Sequence, residues 1–126
     1  MTARFDHFSL AVRDLTTSRY FYGVQLGLVE RARPDLGFPG VWYDLGAGQT
    51  LHLLGQSNTD EDHDVSTFPG AAAGRQSHLA LRVVDWAGRL EALEAAGCMI
   101  QPSKSGRRAA FVADPDQHWV ELIEAG

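Results

Sequence analysis

The chain has 126 residues, 44% of them hydrophobic, enough to bury a full core but within the range of one compact domain or two very small modules. Eleven Lys and Arg against sixteen Asp and Glu give a net charge of −5 and a pI near 5.4, so the electrostatic footprint of a nucleic-acid or anionic-membrane binder is missing. No apolar run is long enough to span a bilayer, and a single cysteine, Cys98, excludes an internal disulfide and a CxxC metal clip. The expectation is a cytoplasmic protein that binds neither nucleic acid nor membrane.

In chain order, residues 4–12 alternate as a strand, and Asp14 is placed to cap a helix in which Tyr20, Phe21, Val24 and Leu28 recur at helical spacing up to the Gly27 break. A short strand is expected over residues 28–33, followed by turn chemistry over 34–40. Residues 41–45 then pair with 50–54 across the turn Gly46-Ala47-Gly48. Residues 56–75 form a polar, acidic stretch containing His63, read as a solvated linker or flap between a first module (1–55) and a second (76–126). The order then repeats. Residues 78–84 are a strand, Asp85 caps a helix with Trp86, Leu90 and Leu93 on its apolar face, and Gly97 ends it. Residues 98–101 are a strand, and residues 107–113 and 118–124 form a hairpin around Asp114-Pro115-Asp116.

Both halves therefore read β-α-β-β-β, and their openings match. Asp6-His7-Phe8-Ser9-Leu10 and Ser77-His78-Leu79-Ala80-Leu81 place a histidine at the same point of the pattern. Successive strand residues point to opposite faces, so His7, Ser9 and Ala11 oppose Phe8, Leu10 and Val12, and His78, Ala80 and Arg82 oppose Leu79, Leu81 and Val83. By the same sorting His52 opposes Leu51 and Leu53, and Trp119, Glu121 and Ile123 oppose Val120 and Leu122. In each of these strands the second face carries an imidazole or a carboxylate, as the lining of a cavity would. His52 follows His7 by 45 residues and Glu121 follows His78 by 43, so each half offers one ligand on its first strand and one on its last. Three imidazoles and a carboxylate suit a divalent first-row metal and leave open positions for substrate. Zinc, nickel, cobalt, manganese and iron all satisfy that donor set.

These features, with Leu51-His52-Leu53 and the ending Asp114-Pro115-Asp116-Gln117-His118-Trp119-Val120-Glu121-Leu122, resemble the vicinal oxygen chelate superfamily over nearly the whole chain. Glyoxalase I, methylmalonyl-CoA epimerase, fosfomycin-resistance transferases, extradiol dioxygenases and bleomycin-binding proteins share that plan. The resemblance implies an α+β fold in which two βαβββ modules form an eight-stranded, cup-shaped barrel around one divalent metal. His7, His52, His78 and Glu121 fall on the ligand positions. Glyoxalase I usually carries Glu at the position of His52 and Arg at that of Ala11, which argues against a glutathione conjugate as substrate. Epimerases generally carry Gln at the position of His52, and the dioxygenases and fosfomycin enzymes use three ligands.

A fourth ligand favours a glyoxalase-like lyase or isomerase acting on a small molecule chelated through adjacent oxygens, with Glu121 as base. Arg82, four residues beyond His78 on its face, is a candidate clamp for a substrate carboxylate or phosphate, and Trp119 a candidate pocket wall. One of Arg107 and Arg108 is expected to face inward. A metal-free small-molecule binding or resistance protein and an iron-dependent ring-cleaving dioxygenase are the alternatives. The half-barrel's apolar edge suggests a homodimer.

Overall fold

The structure, a computed structural model, describes residues 2–57, 65 and 73–125. His63 and most of the 56–75 stretch lie outside the described residues. The chain divides into two compact units, Met1–Val65 and Ser66–Gly126, and the division falls inside the stretch read from sequence as the linker.

In the first unit, β1 (His7–Ala11) leads into α1 (Leu15–Arg19), a π-helical segment (Tyr20–Gln25), and strands β2 (Val29–Arg31), β3 (Gly40–Gly46) and β4 (Gln49–Leu54). The sheet order is β1-β4-β3-β2, with β1 and β4 parallel and the other pairs antiparallel. The β3–β4 turn runs Gly46, Ala47 and Gly48 through positive φ of 84°, 53° and 79°. Glycine accepts that region without a Cβ penalty, so the Gly-Ala-Gly sequence suits a reversal this tight.

Asp14 caps α1 as expected, its Oδ1 accepting from the Thr17 amide at 3.3 Å. The helix then departs from the 3.6-residue pattern. Leu26 N–H donates to the Phe21 carbonyl, five residues back, and the wider turn rotates the buried face onto Phe21, Tyr22 and Leu26. Tyr20 and Val24, expected on the apolar face, are instead 57% and 63% exposed. Phe8, expected with Leu10 and Val12 on the buried face of β1, is also exposed.

The second unit repeats the plan with β5 (Leu79–Val83), α2 (Trp86–Ala95), β6 (Ile100–Pro102), β7 (Ala109–Ala113) and β8 (Trp119–Glu124). Its sheet order is β5-β8-β7-β6, again with one parallel pair, β5 and β8. A 3-10 turn, Ala73–Arg75, precedes β5. Identical strand order in both units makes the duplication a structural fact. The fold is α+β, built of two βαβββ modules.

Gly97 ends the region of α2 at φ 87°, with Gly97 N–H on the Glu94 carbonyl and Cys98 N–H on the Leu93 carbonyl, the paired bonds of a Schellman motif. Asp85 differs from expectation: it takes the left-handed conformation at φ 52° and makes no side-chain capping bond. Its carboxylate lies instead over Gly88, close to where a Cβ would stand. Trp86 ties α2 to the sheet, its Nε1–H donating to the Leu122 carbonyl at 2.8 Å.

Parity holds in β4, where Leu51 and Leu53 are fully buried and His52 is half-buried, whereas in β8 both faces are covered, Trp119, Glu121 and Ile123 as well as Val120 and Leu122. No helix among the described residues is long and apolar enough to cross a membrane.

Candidate metal centre

In the first unit the parallel β1–β4 register pairs His7 with Thr50 and Ser9 with His52, so both imidazoles emerge on one face of the sheet. The antiparallel β3–β4 register sets Trp42 opposite His52. The three rings form a stack: His7 and His52 have centroids 4.2 Å apart at an interplanar angle of 10°, and Trp42 and His52 are 4.2 Å apart at 4°. His7 Nδ1 lies 2.7 Å from Asp6 Oδ2. A carboxylate can only accept, so Nδ1 carries the hydrogen and the Nε2 lone pair is left for another partner. The same bond, first among its causes, holds the Asp6 carboxyl below its usual range. His52 Nε2 lies 2.9 Å from the buried Thr50 hydroxyl. Burial, then the neighbouring His7, pushes the His52 imidazole below its ordinary pKa.

In the second unit His78 Nδ1 is 2.8 Å from the Gln76 carbonyl, again an acceptor, which fixes the hydrogen on Nδ1 and leaves the Nε2 lone pair available. Phe111 meets the ring edge-on at 4.9 Å. His78 Nε2 and Glu121 Oε1 stand 3.5 Å apart, and the Glu121 side chain is 8% exposed. Two donors bonded to one metal at about 2.0–2.2 Å have a separation of this order. The second Glu121 oxygen faces the Arg107 guanidinium at 3.7 Å and, at the limit of hydrogen bonding, the Ser103 hydroxyl at 3.5 Å. Ser103 Oγ is also 2.9 Å from Ser105 Oγ, so the loop entering β7 presents hydroxyls and a cation beside the carboxylate.

The other sequence candidates separate clearly. Arg107 contacts Glu121, whereas Arg108 turns to Glu124 at 3.0 Å and lies over the Trp86 ring at 4.8 Å. Arg82 occupies β5 opposite Ile123 with an exposed side chain. Trp119 is 5% exposed and packs with Ala73 and Phe111, so it covers part of the sheet face that bears Glu121.

Sequence reasoning missed Trp42, although counting outward from the Gly46-Ala47-Gly48 turn would have brought it to His52. It also read Asp114-Pro115-Asp116 purely as a turn. Asp114, Asp116 and His118 each offer a ligand atom, and these atoms lie within 4.8 Å of one another, which makes them a candidate Asp-Asp-His metal triad. Asp114 Oδ1 also accepts from the Asp116 and His118 amides at 2.9 and 2.8 Å, the bonds expected of an aspartate that shapes a reversal.

The donor chemistry of the second unit, an imidazole nitrogen beside a carboxylate oxygen, fits a divalent metal, and His7 is a further imidazole donor in the first unit. His7 and His78 are both held at Nδ1 by an acceptor, a bond that fixes the orientation of a ligating imidazole. Glu121 supplies a shielded carboxylate beside one of them.

A duplicated βαβββ plan with a histidine at the start of each half and a carboxylate on the last strand defines the class of protein. The sequence matches the family model described as Glyoxalase/Bleomycin resistance protein/Dioxygenase superfamily over residues 4–122, and the chain belongs to that superfamily. Its fold is similar to that of the fosfomycin resistance protein FosX from Listeria monocytogenes, at TM-score 0.67 and 19% identity over 100% of this chain and 94% of that one. It is likewise similar to the trypanothione-dependent glyoxalase I of Leishmania major, at TM-score 0.67 and 23% identity over 98% and 87%. The oxidase ChaP-H2 gives TM-score 0.69 and 19% identity over 100% and 96%. No curated protein sequence matches.

Proposed function

We propose that this chain is a divalent-metal-dependent, glyoxalase-like lyase or isomerase that acts on a small substrate presenting two adjacent oxygens. The observation that carries the reading is the His78–Glu121 pair, with an imidazole nitrogen 3.5 Å from a shielded carboxylate and the ring locked at its other nitrogen by Gln76. His7, held the same way by Asp6, is the third ligand of the proposed set, and His52 is the fourth candidate. A bound metal would supply Lewis acidity to the chelated oxygens and so ease loss of a proton from the neighbouring carbon.

The remaining work falls to the chain's own residues. Glu121 takes the proton on one carboxylate oxygen and returns it to substrate, with no net oxidation. Arg107 and Ser103 beside its second oxygen keep the carboxylate oriented. Arg107 is half exposed, which leaves its guanidinium able to meet a substrate carboxylate or phosphonate, a role for which Arg82 was the sequence candidate. Trp119, together with Phe111, excludes water from that side of the carboxylate. Assembly as a homodimer belongs to the same reading, supported by the exposed apolar side chains Phe5, Phe8 and Val29.

The test is solvent-deuterium exchange into a panel of small dicarbonyls, hydroxy acids and phosphonates, followed by proton NMR, with protein loaded in turn with zinc, nickel, cobalt, manganese and ferrous iron. Metal-dependent exchange that disappears in Glu121→Gln supports the reading. Ligand binding of equal strength with and without metal, accompanied by no exchange, would replace it with the small-molecule binding alternative.

A further inference from the structure

We propose that His52 is not a metal ligand but a positioning residue, the middle plate of a stack that fixes the plane of His7. The inference rests on the reading of His7 as a ligand and deepens it. A metal bound to imidazole lies in the ring plane, along the nitrogen lone pair, at about 2.0–2.1 Å. The planes of His7 and His52 are within 10° of parallel, with centroids 4.2 Å apart. Parallel planes share no point, so an ion placed between these rings would sit above both faces, where neither lone pair points. Shared coordination therefore requires one ring to leave the stack.

His52 is the ring held by more partners. Trp42 covers its other face at 4.2 Å and 4°, and the buried Thr50 hydroxyl occupies its Nε2 at 2.9 Å. His7, at the end of the stack among the described residues, has its Nδ1 committed to Asp6 at 2.7 Å. The roles divide accordingly: Asp6 fixes the rotation of His7 within its plane, and His52, backed by Trp42, fixes the plane itself.

Phenylalanine separates stacking from ligation, because it keeps a flat ring between Trp42 and His7 and has no nitrogen. The measurement is metal affinity and stoichiometry, by cobalt titration followed through the visible d–d bands and by calorimetry, in wild type, His52→Phe, His52→Ala and His7→Ala. The expected pattern is unchanged stoichiometry and bands in His52→Phe with affinity within about threefold of wild type, a loss of roughly 10–100-fold in His52→Ala, and no defined site in His7→Ala. Equal losses in His52→Phe and His52→Ala, with His7→Ala also inactive in binding, would overturn the positioning role alone. Retained binding in His7→Ala would overturn the metal reading beneath it. X-ray absorption on the wild-type cobalt protein gives the same answer without any variant, two imidazoles supporting the proposal and three refuting it.

Discussion

Replacing Glu121 by glutamine keeps the shape of the side chain and removes its charge, so it distinguishes a metal ligand from a merely structural carboxylate. Without metal the change is small. The carboxylate's cationic neighbour is a half-exposed guanidinium 3.7 Å away, an ion pair worth less than about 1 kcal/mol, and the amide escapes the cost of burying a charge. With metal at one hundred times the dissociation constant, wild type gains about 2.7 kcal/mol by mass action. An unfolding entropy of about 2.1 cal/mol/K per residue, taken over 126 residues, is roughly 0.26 kcal/mol/K, so the midpoint should rise by roughly 10 °C. If glutamine weakens binding about one-hundredfold, the same metal concentration gives only about 0.4 kcal/mol, or roughly 1.5 °C. Differential scanning calorimetry at matched metal concentration reads both numbers. A full wild-type shift in the variant would remove Glu121 from the ligand set, and a collapse of the metal-free midpoint would show that its role is structural.

Other substitutions test the surroundings of the site. Arg107→Ala should leave thermal stability within about 1 kcal/mol yet weaken binding of anionic substrate analogues in a competition assay, and unchanged affinity would leave that guanidinium without a role. Arg108→Ala should cost about 1 kcal/mol in urea unfolding through loss of the Glu124 pair and the Trp86 contact, with no effect on ligand binding. Gly40→Ala should destabilise by about 1–3 kcal/mol, because the new methyl would stand 2.6 Å from the Leu53 carbonyl oxygen; wild-type stability would mean that the β3–β4 contact yields more than expected. Burial pushes the Cys98 thiol above its ordinary pKa. The neutral thiol is thus favoured in the fold, and the stability it contributes is complete below the ordinary thiol range of about 8.5 and declines as pH rises beyond it. Cys98→Ala should flatten the alkaline limb of the stability profile, and alkylation of the native thiol near pH 9 should be slower than that of free cysteine.

The strand plan was legible where period-two alternation survives, as at Leu51 and Leu53 around the half-buried His52, and less so in β8, where both faces are buried. The helical segment of the first unit was less so. A switch from four-residue to five-residue hydrogen bonding leaves the apolar content unchanged and moves the buried face, so ordinary helical spacing points Tyr20 and Val24 inward although Tyr22 and Leu26 take that role. Asp85 shows the limit of capping rules: a suitable residue stands before the helix, but its left-handed backbone turns the carboxylate toward Gly88.

The duplicated pattern singles out His7, His52, His78 and Glu121 as candidates, but it says nothing of their hydrogen-bond partners. Asp6 acts through its side-chain carboxylate and Gln76 through its backbone carbonyl, and the stacking of Trp42 on His52 depends on the hairpin register. Likewise, parity favoured Arg82 for substrate binding, but it says nothing of the loop before β7 that brings Arg107 to Glu121.

Metal stoichiometry, measured by equilibrium dialysis and elemental analysis on untagged protein, tests the account most directly. Wild type should bind one divalent ion per chain, and His7→Ala and Glu121→Ala should each lose most of it while retaining their far-ultraviolet circular dichroism. Full stoichiometry in both folded variants, or an ion lost instead on substitution of Asp114 or His118, would contradict the assignment.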